Sequence, residues 1–350
     1  MKQKTFLLLL GAAGAAASLV AVRCAFSAPR YEGPPSGHFD GERFHNLVEV
    51  EHGALDFWKW QLTKDPGEWR SWVDAEPGPP PPRRVSDGGV RVTFVNHATL
   101  LIQLDGLNIL TDPIWSERCS PVSWAGPRRH RPPGIRFEDL PPIDLVLISH
   151  NHYDHLDLET LRRLEESHRP GVRVGLGNGA LLEKVGLDRD VEELDWWDRL
   201  QVSPEVSVSF VPAQHFSARG VCDRNANLWG GWMITGRSGR VYFAGDSGWG
   251  PHFEMIRNRL GVPDIALLPI GAFRPKWFMS PVHISPQEAI DAHRALGAST
   301  TIPMHYGTFH LGDDGETEAV ELLRDRVESA SLDAQFRFLG FGEAFAWLRE

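Results

Sequence analysis

Cysteine is nearly missing from this chain: three in 350 residues, Cys24, Cys119 and Cys222, none at metal-ligand spacing from another. That argues against a thiolate metal site. Cys119 and Cys222 could pair in an oxidising compartment, although their separation of 103 positions gives the pairing no support. A basic excess is missing too. With 36 Lys and Arg against 46 Asp and Glu, the formal charge is −10, which disfavours an electrostatic footprint for nucleic acid, and none is expected as a partner. No apolar run comfortably reaches membrane-spanning length. The run Phe6–Val22, 17 residues without charge, is short for a span. Behind Lys2 and Lys4 it has the form of a secretory leader, so residues 1–28 read as a signal peptide cleaved after Ser27, or as a retained N-terminal membrane anchor. The expected location is exported, either periplasmic or membrane-anchored.

What is present is core. Apolar residues make up 42% of the chain, ample for a large buried interior. Residues 29–85 form an N-terminal extension punctuated by Pro29–Gly37 and by Pro77-Gly78-Pro79-Pro80-Pro81-Pro82, a stiff spacer that fits neither helix nor central strand. Within it, Leu47–Trp60 carries apolar residues at helical spacing. Residues 86–350 hold the main domain. Strands are expected at Arg91–Val95, Thr99–Leu104 and Leu107–Thr111, with Asp105-Gly106 turning the hairpin between the last two. More follow at Ile143–Ile148, Val172–Leu176, Val191–Leu194, Val206–Val211, Gly231–Thr235, Arg240–Ala244, Ile265–Pro269 and Thr300–Met304. Helical patterns occupy Leu158–Ser167, Ala180–Val185, Pro286–Leu296 and Glu316–Ser329.

Chemistry concentrates at strand ends. Directly after Ile143–Ile148 come Ser149-His150-Asn151-His152-Tyr153-Asp154-His155, three imidazoles and a carboxylate within six positions. Neutral imidazole nitrogens and carboxylate oxygens are the usual non-thiolate ligands of zinc, and a turn leaving a buried strand can aim several at one point. His215, Asp246 and His305 each follow a further expected strand. His45, His52, His130, His168, His252, His293 and His310 fit no such spacing and read as structural histidines. Divalent metal held there would supply an activated water near neutral pH and stabilise developing charge on oxygen, which suits hydrolysis. Asp112, in Leu110-Thr111-Asp112-Pro113, is either a carboxylate partner to a ligand imidazole or a turn-forming residue before proline.

The H-x-H-x-D-H motif at His150–His155, followed by His215, Asp246 and His305, resembles the metallo-β-lactamase fold superfamily. That resemblance implies an α/β (α+β) fold, a four-layer αβ/βα sandwich with two metal ions at one edge. It assigns His150, His152 and His215 to the first ion, Asp154, His155 and His305 to the second, and Asp246 to both. The ions would be zinc, with iron or manganese as substitutes. A narrower likeness lies in Asn96-His97-Ala98-Thr99, Thr111-Asp112-Pro113, Gly245-Asp246-Ser247-Gly248, Pro269-Ile270-Gly271-Ala272, His283-Ile284-Ser285-Pro286 and His305-Tyr306-Gly307-Thr308-Phe309. These segments, in that order, with His38–Asn46 and Pro212-Ala213-Gln214-His215, resemble the N-acylphosphatidylethanolamine-hydrolysing phospholipase D branch. Asn96 stands where that branch often has Gly. The resemblance implies water attack on the phosphodiester of an N-acylated phosphatidylethanolamine, with His283 near the phosphate. Asp154 could orient the nucleophile as well as ligate. The expected partners are a phospholipid or small phosphodiester substrate, a membrane surface and, by analogy with the branch, a second copy in a homodimer.

Competing readings have their own marks. A metal-dependent hydrolase of a small ester, lactone or cyclic phosphate would share the ligand set, because specificity lies in loops. A non-catalytic scaffold would be expected to have lost ligands, and all seven are here. The Arg128-Arg129-His130-Arg131 cluster reads as a solvated loop in preference to a phosphate site. Most of the 13 Trp belong to core, but Phe273–Met279, between Pro269–Ala272 and His283, is the expected substrate groove.

Overall fold

The computed structural model describes residues 26–50, 53–85 and 88–348. The leader at residues 1–28 falls almost entirely outside them, as does His52. Among the described residues no helix is long and apolar enough to cross a membrane.

Among the described residues, thirteen strands form two mixed sheets. The first runs β13-β1-β2-β3-β4-β5-β6, from Ala344–Leu348 (β13) through Gly89–Asn96 (β1), Thr99–Leu104 (β2), Leu107–Thr111 (β3), Leu145–Leu147 (β4) and Gly171–Gly175 (β5) to Val191–Leu194 (β6). The second runs β12-β11-β10-β9-β8-β7, from Thr300–Met304 (β12) through Ile265–Pro269 (β11), Arg240–Phe243 (β10), Gly231–Thr235 (β9) and Ser207–Val211 (β8) to Arg199–Gln201 (β7). Successive strand residues face opposite sides of a sheet, and the burial follows that period. Leu100, Ile102, Leu104, Leu145 and Leu147 face the second sheet, whereas Leu101 and Val146 face away from it. On that outer side they meet Leu161 and Leu164 of Leu158–Ser167 (α2) and Leu181 and Leu182 of Gly179–Lys184 (α3). The far side of the second sheet is covered by His252–Leu260 (α4), Pro286–Leu296 (α6) and Glu318–Ser329 (α7), which bury Phe253, Ile256, Ile290, Leu296, Leu323 and Val327. The layers are helix, sheet, sheet, helix. With both faces covered, the strands can be almost wholly apolar, as β2 and β4 are.

The extension is packed onto this sandwich. Phe39 and Phe44 are buried in the same core cluster as β1 and β9. Among the described residues, the helix expected over Leu47–Trp60 is Ala54–Leu62 (α1), which Gly53 precedes in extended conformation. Trp60 stacks on Phe278 of the short helix Lys276–Met279 (α5). The proline run lies along the main domain, Gly78 donating to the Gly134 carbonyl at 2.7 Å and the Pro82 carbonyl accepting from Gln103 at 2.8 Å.

Two glycines permit the close approaches at the sheet ends. A Cβ on Gly245, where φ is +60°, would lie 2.5 Å from the Cβ of Ser149, and one on Gly271 would lie 2.0 Å from the His305 carbonyl oxygen.

Candidate metal centre

The loops that leave β4, β8, β10 and β12 meet at one edge of the sandwich, and they carry every residue singled out at a strand end. His150 Nε2 lies 2.8 Å from His152 Nδ1, which lies 3.3 Å from His215 Nε2. Beside this group stands a second. His155 Nε2 is 3.1 Å from Asp154 Oδ2 and 3.2 Å from Asp246 Oδ2, and His305 Nε2 is 3.4 Å and 3.2 Å from the same two oxygens. Asp246 Oδ2 is also 3.8 Å from His215 Nε2, so one carboxylate faces both groups.

These separations fit metal ligation. Ligands at about 2.0–2.1 Å from a tetrahedral ion lie roughly 3.3–3.4 Å from one another, close to the four distances of the second group. Buried polar atoms normally have hydrogen-bond partners, yet among the described residues His155 Nε2 and His305 Nε2 make no aligned hydrogen bond, only ionic contacts to the two carboxylates. A cation held between these nitrogens and Asp246 would satisfy both.

Electrostatics points the same way. Burial disfavours charge on every ring here. It carries His150 and His215 well below the ordinary histidine value and His152 down to about 3, leaving lone pairs free to ligate. In His155 and His305 burial is outweighed by Asp246 and Asp154, which push His305 up to about 9 and His155 well above its usual value. Both carboxylates resist burial through His155 and its neighbours and are held well below the carboxylate range. The acidic pair thus draws positive charge into the pocket, the role a divalent ion fills when it displaces protons.

The surrounding structure orients the rings. Asp112 Oδ2 lies 2.6 Å from His155 Nδ1, and the same carboxylate accepts from Ser149 N and Oγ at 2.7 and 2.5 Å. Asp112 also stands at a bend before Pro113, with φ +35°. His215 Nδ1–H donates to the Val282 carbonyl at 2.8 Å. His305, at φ +63°, donates its backbone N–H to the carbonyl of His97, itself at φ +48°. Non-glycine residues in the left-handed region cost energy and cluster at functional sites.

His97 is the residue that the sequence reading left without a role. It projects from the β1–β2 turn, its Nε2 is 2.8 Å from Asp154 Oδ2, and its ring lies 3.9 Å from that of His305. Its signal was the same as the others', a histidine at a strand end. His283 stands just off the two groups, with Nδ1 3.9 Å from Asp246 Oδ2 and without a hydrogen-bond partner. It is set by α6, whose Ser285 forms a capping box with Glu288 ahead of Pro286. Of the Phe273–Met279 stretch, Lys276–Met279 forms α5, and the Met279 carbonyl accepts the His283 backbone N–H at 2.9 Å.

The basic cluster is structural. Arg129 is buried and donates to the Ser116 and Ile114 carbonyls, while Arg128 pairs with Glu117 and Arg131 with Glu316. The Cys119–Cys222 pairing does not form, because Cys119 is a free, buried thiol.

Residues 107–306, more than half of the chain, match the family described as Beta-lactamase superfamily domain. Over 237 residues, 65% of this chain and 66% of the other, the sequence is 39% identical to N-acyl-phosphatidylethanolamine-hydrolyzing phospholipase D 1 of Caenorhabditis elegans. It is 32% identical to a UPF0173 metal-dependent hydrolase of Methanopyrus kandleri over 260 residues, 73% of this chain and 99% of that one. Among solved structures, Igni18, a metallo hydrolase from Ignicoccus hospitalis, superposes with a TM-score of 0.55 at 25% identity, covering 75% of this chain and all of that one. The chain spans just under two thirds of the length of the Caenorhabditis protein. The helix-sheet-sheet-helix sandwich, the ligand geometry and these matches agree: the chain belongs to the beta-lactamase superfamily domain family, alongside its metal-dependent hydrolases.

Proposed function

We propose that the chain is a dinuclear zinc phosphodiesterase of phospholipase D type that cleaves N-acylphosphatidylethanolamine to N-acylethanolamine and phosphatidic acid. The observation that carries this reading is Asp246, whose Oδ2 lies 3.8 Å from His215 Nε2 and 3.2 Å from Nε2 of both His155 and His305. His150, His152 and His215 would hold one ion, Asp154, His155 and His305 the other, and Asp246 both. When bound, such a pair supplies an activated water and stabilises negative charge on a phosphodiester.

The chain's own residues would do the rest. Asp154 Oδ2 is held by His97 Nε2 at 2.8 Å as well as lying beside His155, and the carboxylate can orient the attacking water. His283 is neutral at pH 7, since burial lowers it to about 4 against the pull of Asp246, and its unpartnered Nδ1 can hydrogen-bond a phosphate oxygen. Attack by water breaks the bond from phosphorus to the N-acylethanolamine oxygen, which leaves with a proton, and phosphatidic acid keeps the phosphate.

Helix α1 suits a phospholipid surface as partner. Leu55, Trp58 and Leu62 share one helical face and are 84%, 59% and 84% exposed. Lys59 lies over the ring of Trp277 on α5, which leads to His283. A leader at residues 1–28 would place the enzyme outside the cytoplasm, and a homodimer is the expected assembly. The alternative is a hydrolase of a small ester, lactone or cyclic phosphate, favoured by the full-length match to a metal-dependent hydrolase.

Mass-spectrometric product analysis separates the two. Vesicles containing N-acylphosphatidylethanolamine should yield N-acylethanolamine and phosphatidic acid. Turnover of a lactone or cyclic phosphate with the vesicles untouched would overturn the lipid assignment.

A further inference from the structure

His215 lies four residues beyond the end of β8, outside the sheet ladder, and its peptide is gripped by a residue 169 positions earlier. Asn46 Nδ2 donates to the His215 carbonyl at 2.7 Å, and Asn46 Oδ1 accepts the His215 N–H at 3.0 Å. One carboxamide therefore pairs with both backbone groups of a candidate ligand, as a neighbouring strand would. The same Oδ1 accepts from Trp229 Nε1 at 3.1 Å. Next to it, the Gln214 side chain accepts from Val48 N at 3.3 Å and donates to the Val48 carbonyl at 2.5 Å.

The strap that carries Asn46 is itself firmly seated. Phe39 and Phe44 are buried, the Phe44 N–H donates to the Asn225 carbonyl at 2.8 Å, and His38 bonds Asp195 at 2.7 Å while stacking on Trp196. A cavity of about 380 Å³ between strap and loop is lined by His45, Asn46, His215, Phe216, Arg224 and Val282, so the strap forms a wall at the ligand itself. The ring of His215 is oriented separately, through Nδ1 and Val282. Tautomer and backbone position thus come from two different elements, and only the second depends on the strap.

We infer that Asn46 is a positioning residue for the first metal group, so that the amino-terminal strap, and not the main domain alone, sets how tightly His150, His152 and His215 hold their ion. This rests on the dinuclear reading above. Partners that orient ligands commonly change metal affinity by about 10–100-fold, and that is the effect expected here.

The test uses full-length, zinc-loaded protein. Wild type, Asn46→Ala and Asn46→Asp are titrated with a chelator while bound zinc is counted, and circular dichroism follows the fold. The aspartate keeps the shape and the acceptor but removes the donor to the His215 carbonyl, so it serves if the alanine variant does not fold. The expected result is that one of two ions leaves at a chelator activity about 10–100-fold lower than in wild type, while the other is retained and the fold is intact. Folded variants that release both ions with the wild-type profile, or both together at lower chelator, would overturn the role of Asn46. A wild type that binds no zinc would instead sink the dinuclear reading, and this inference with it.

Discussion

Asp112 Oδ2 lies 2.6 Å from His155 Nδ1, both side chains fully buried, and this contact leaves Nε2 as the nitrogen that faces Asp154 and Asp246. A carboxylate behind a ligating imidazole fixes the tautomer and raises its basicity. Asp112→Asn should therefore weaken metal retention in the second group by about 10–100-fold. A competition titration with a zinc chelator measures this, and wild-type retention would contradict the assignment.

Trp232 couples the two sheets at the site. Its fully buried indole donates to the Ile148 carbonyl at 3.0 Å, one residue before the ligand loop begins. Trp232→Phe removes the donor and leaves that carbonyl short of a partner, at a cost of about 1–3 kcal/mol. The denaturant midpoint should fall accordingly, with its slope unchanged.

The architecture was legible where local pattern decides it. The apolar runs at Thr99–Leu104 and Ile143–Ile148 gave strands, and the helical pattern over Pro286–Leu296 gave α6 with its observed bounds. Two strands were missed. Arg199–Gln201 is three residues long, and Ala344–Leu348 shows its role only in pairing with β1 across the whole chain length. Helix α4 also escaped: its buried Phe253 and Ile256 stand at helical spacing, but the exposed apolar Met255 between them blurs the stripe in so short a helix. At the site, the seven candidate ligands stood out because each follows a strand. His97 carried the same mark, but its role needs Asp154 across the fold. Asn46 closes one of the segments that carry the resemblance, but its contact could not be read, since nothing in a sequence signals a partner 169 positions away.

His252 offers a pH test independent of metal. It is fully buried, with Nε2 3.0 Å from Ser247 Oγ and Nδ1 unpartnered, and burial lowers it to about 3 against 6.5 for the free side chain. The unfolded chain therefore binds a proton that the folded one refuses. The stabilising effect of the neutral ring is complete above pH 6.5 and is lost as pH falls towards 3, reaching about 2 kcal/mol at pH 5. His252→Gln should lose less stability between pH 7.5 and pH 5 than wild type does, by about that amount. Chemical unfolding at the two pH values decides it, and equal losses would contradict the burial argument.

The exposed face of α1 predicts vesicle binding. Replacing Trp58 and Leu62 together by serine should weaken sedimentation with phospholipid vesicles by about tenfold or more, since each apolar side chain contributes on the order of 1–3 kcal/mol when buried. Turnover of a water-soluble phosphodiester should be unaffected. Undiminished sedimentation would remove α1 from the membrane contact.

The central claim is that one carboxylate serves two ions and that hydrolysis depends on them. Metal content and phosphodiester hydrolysis should be measured on the same preparations of wild type and Asp246→Asn, each purified with zinc present. The account predicts two ions per wild-type chain, and loss of both metal and hydrolysis in the variant, with the fold retained. A wild type that hydrolyses with one ion or none, or an Asp246→Asn protein that keeps two ions and full activity, would contradict it.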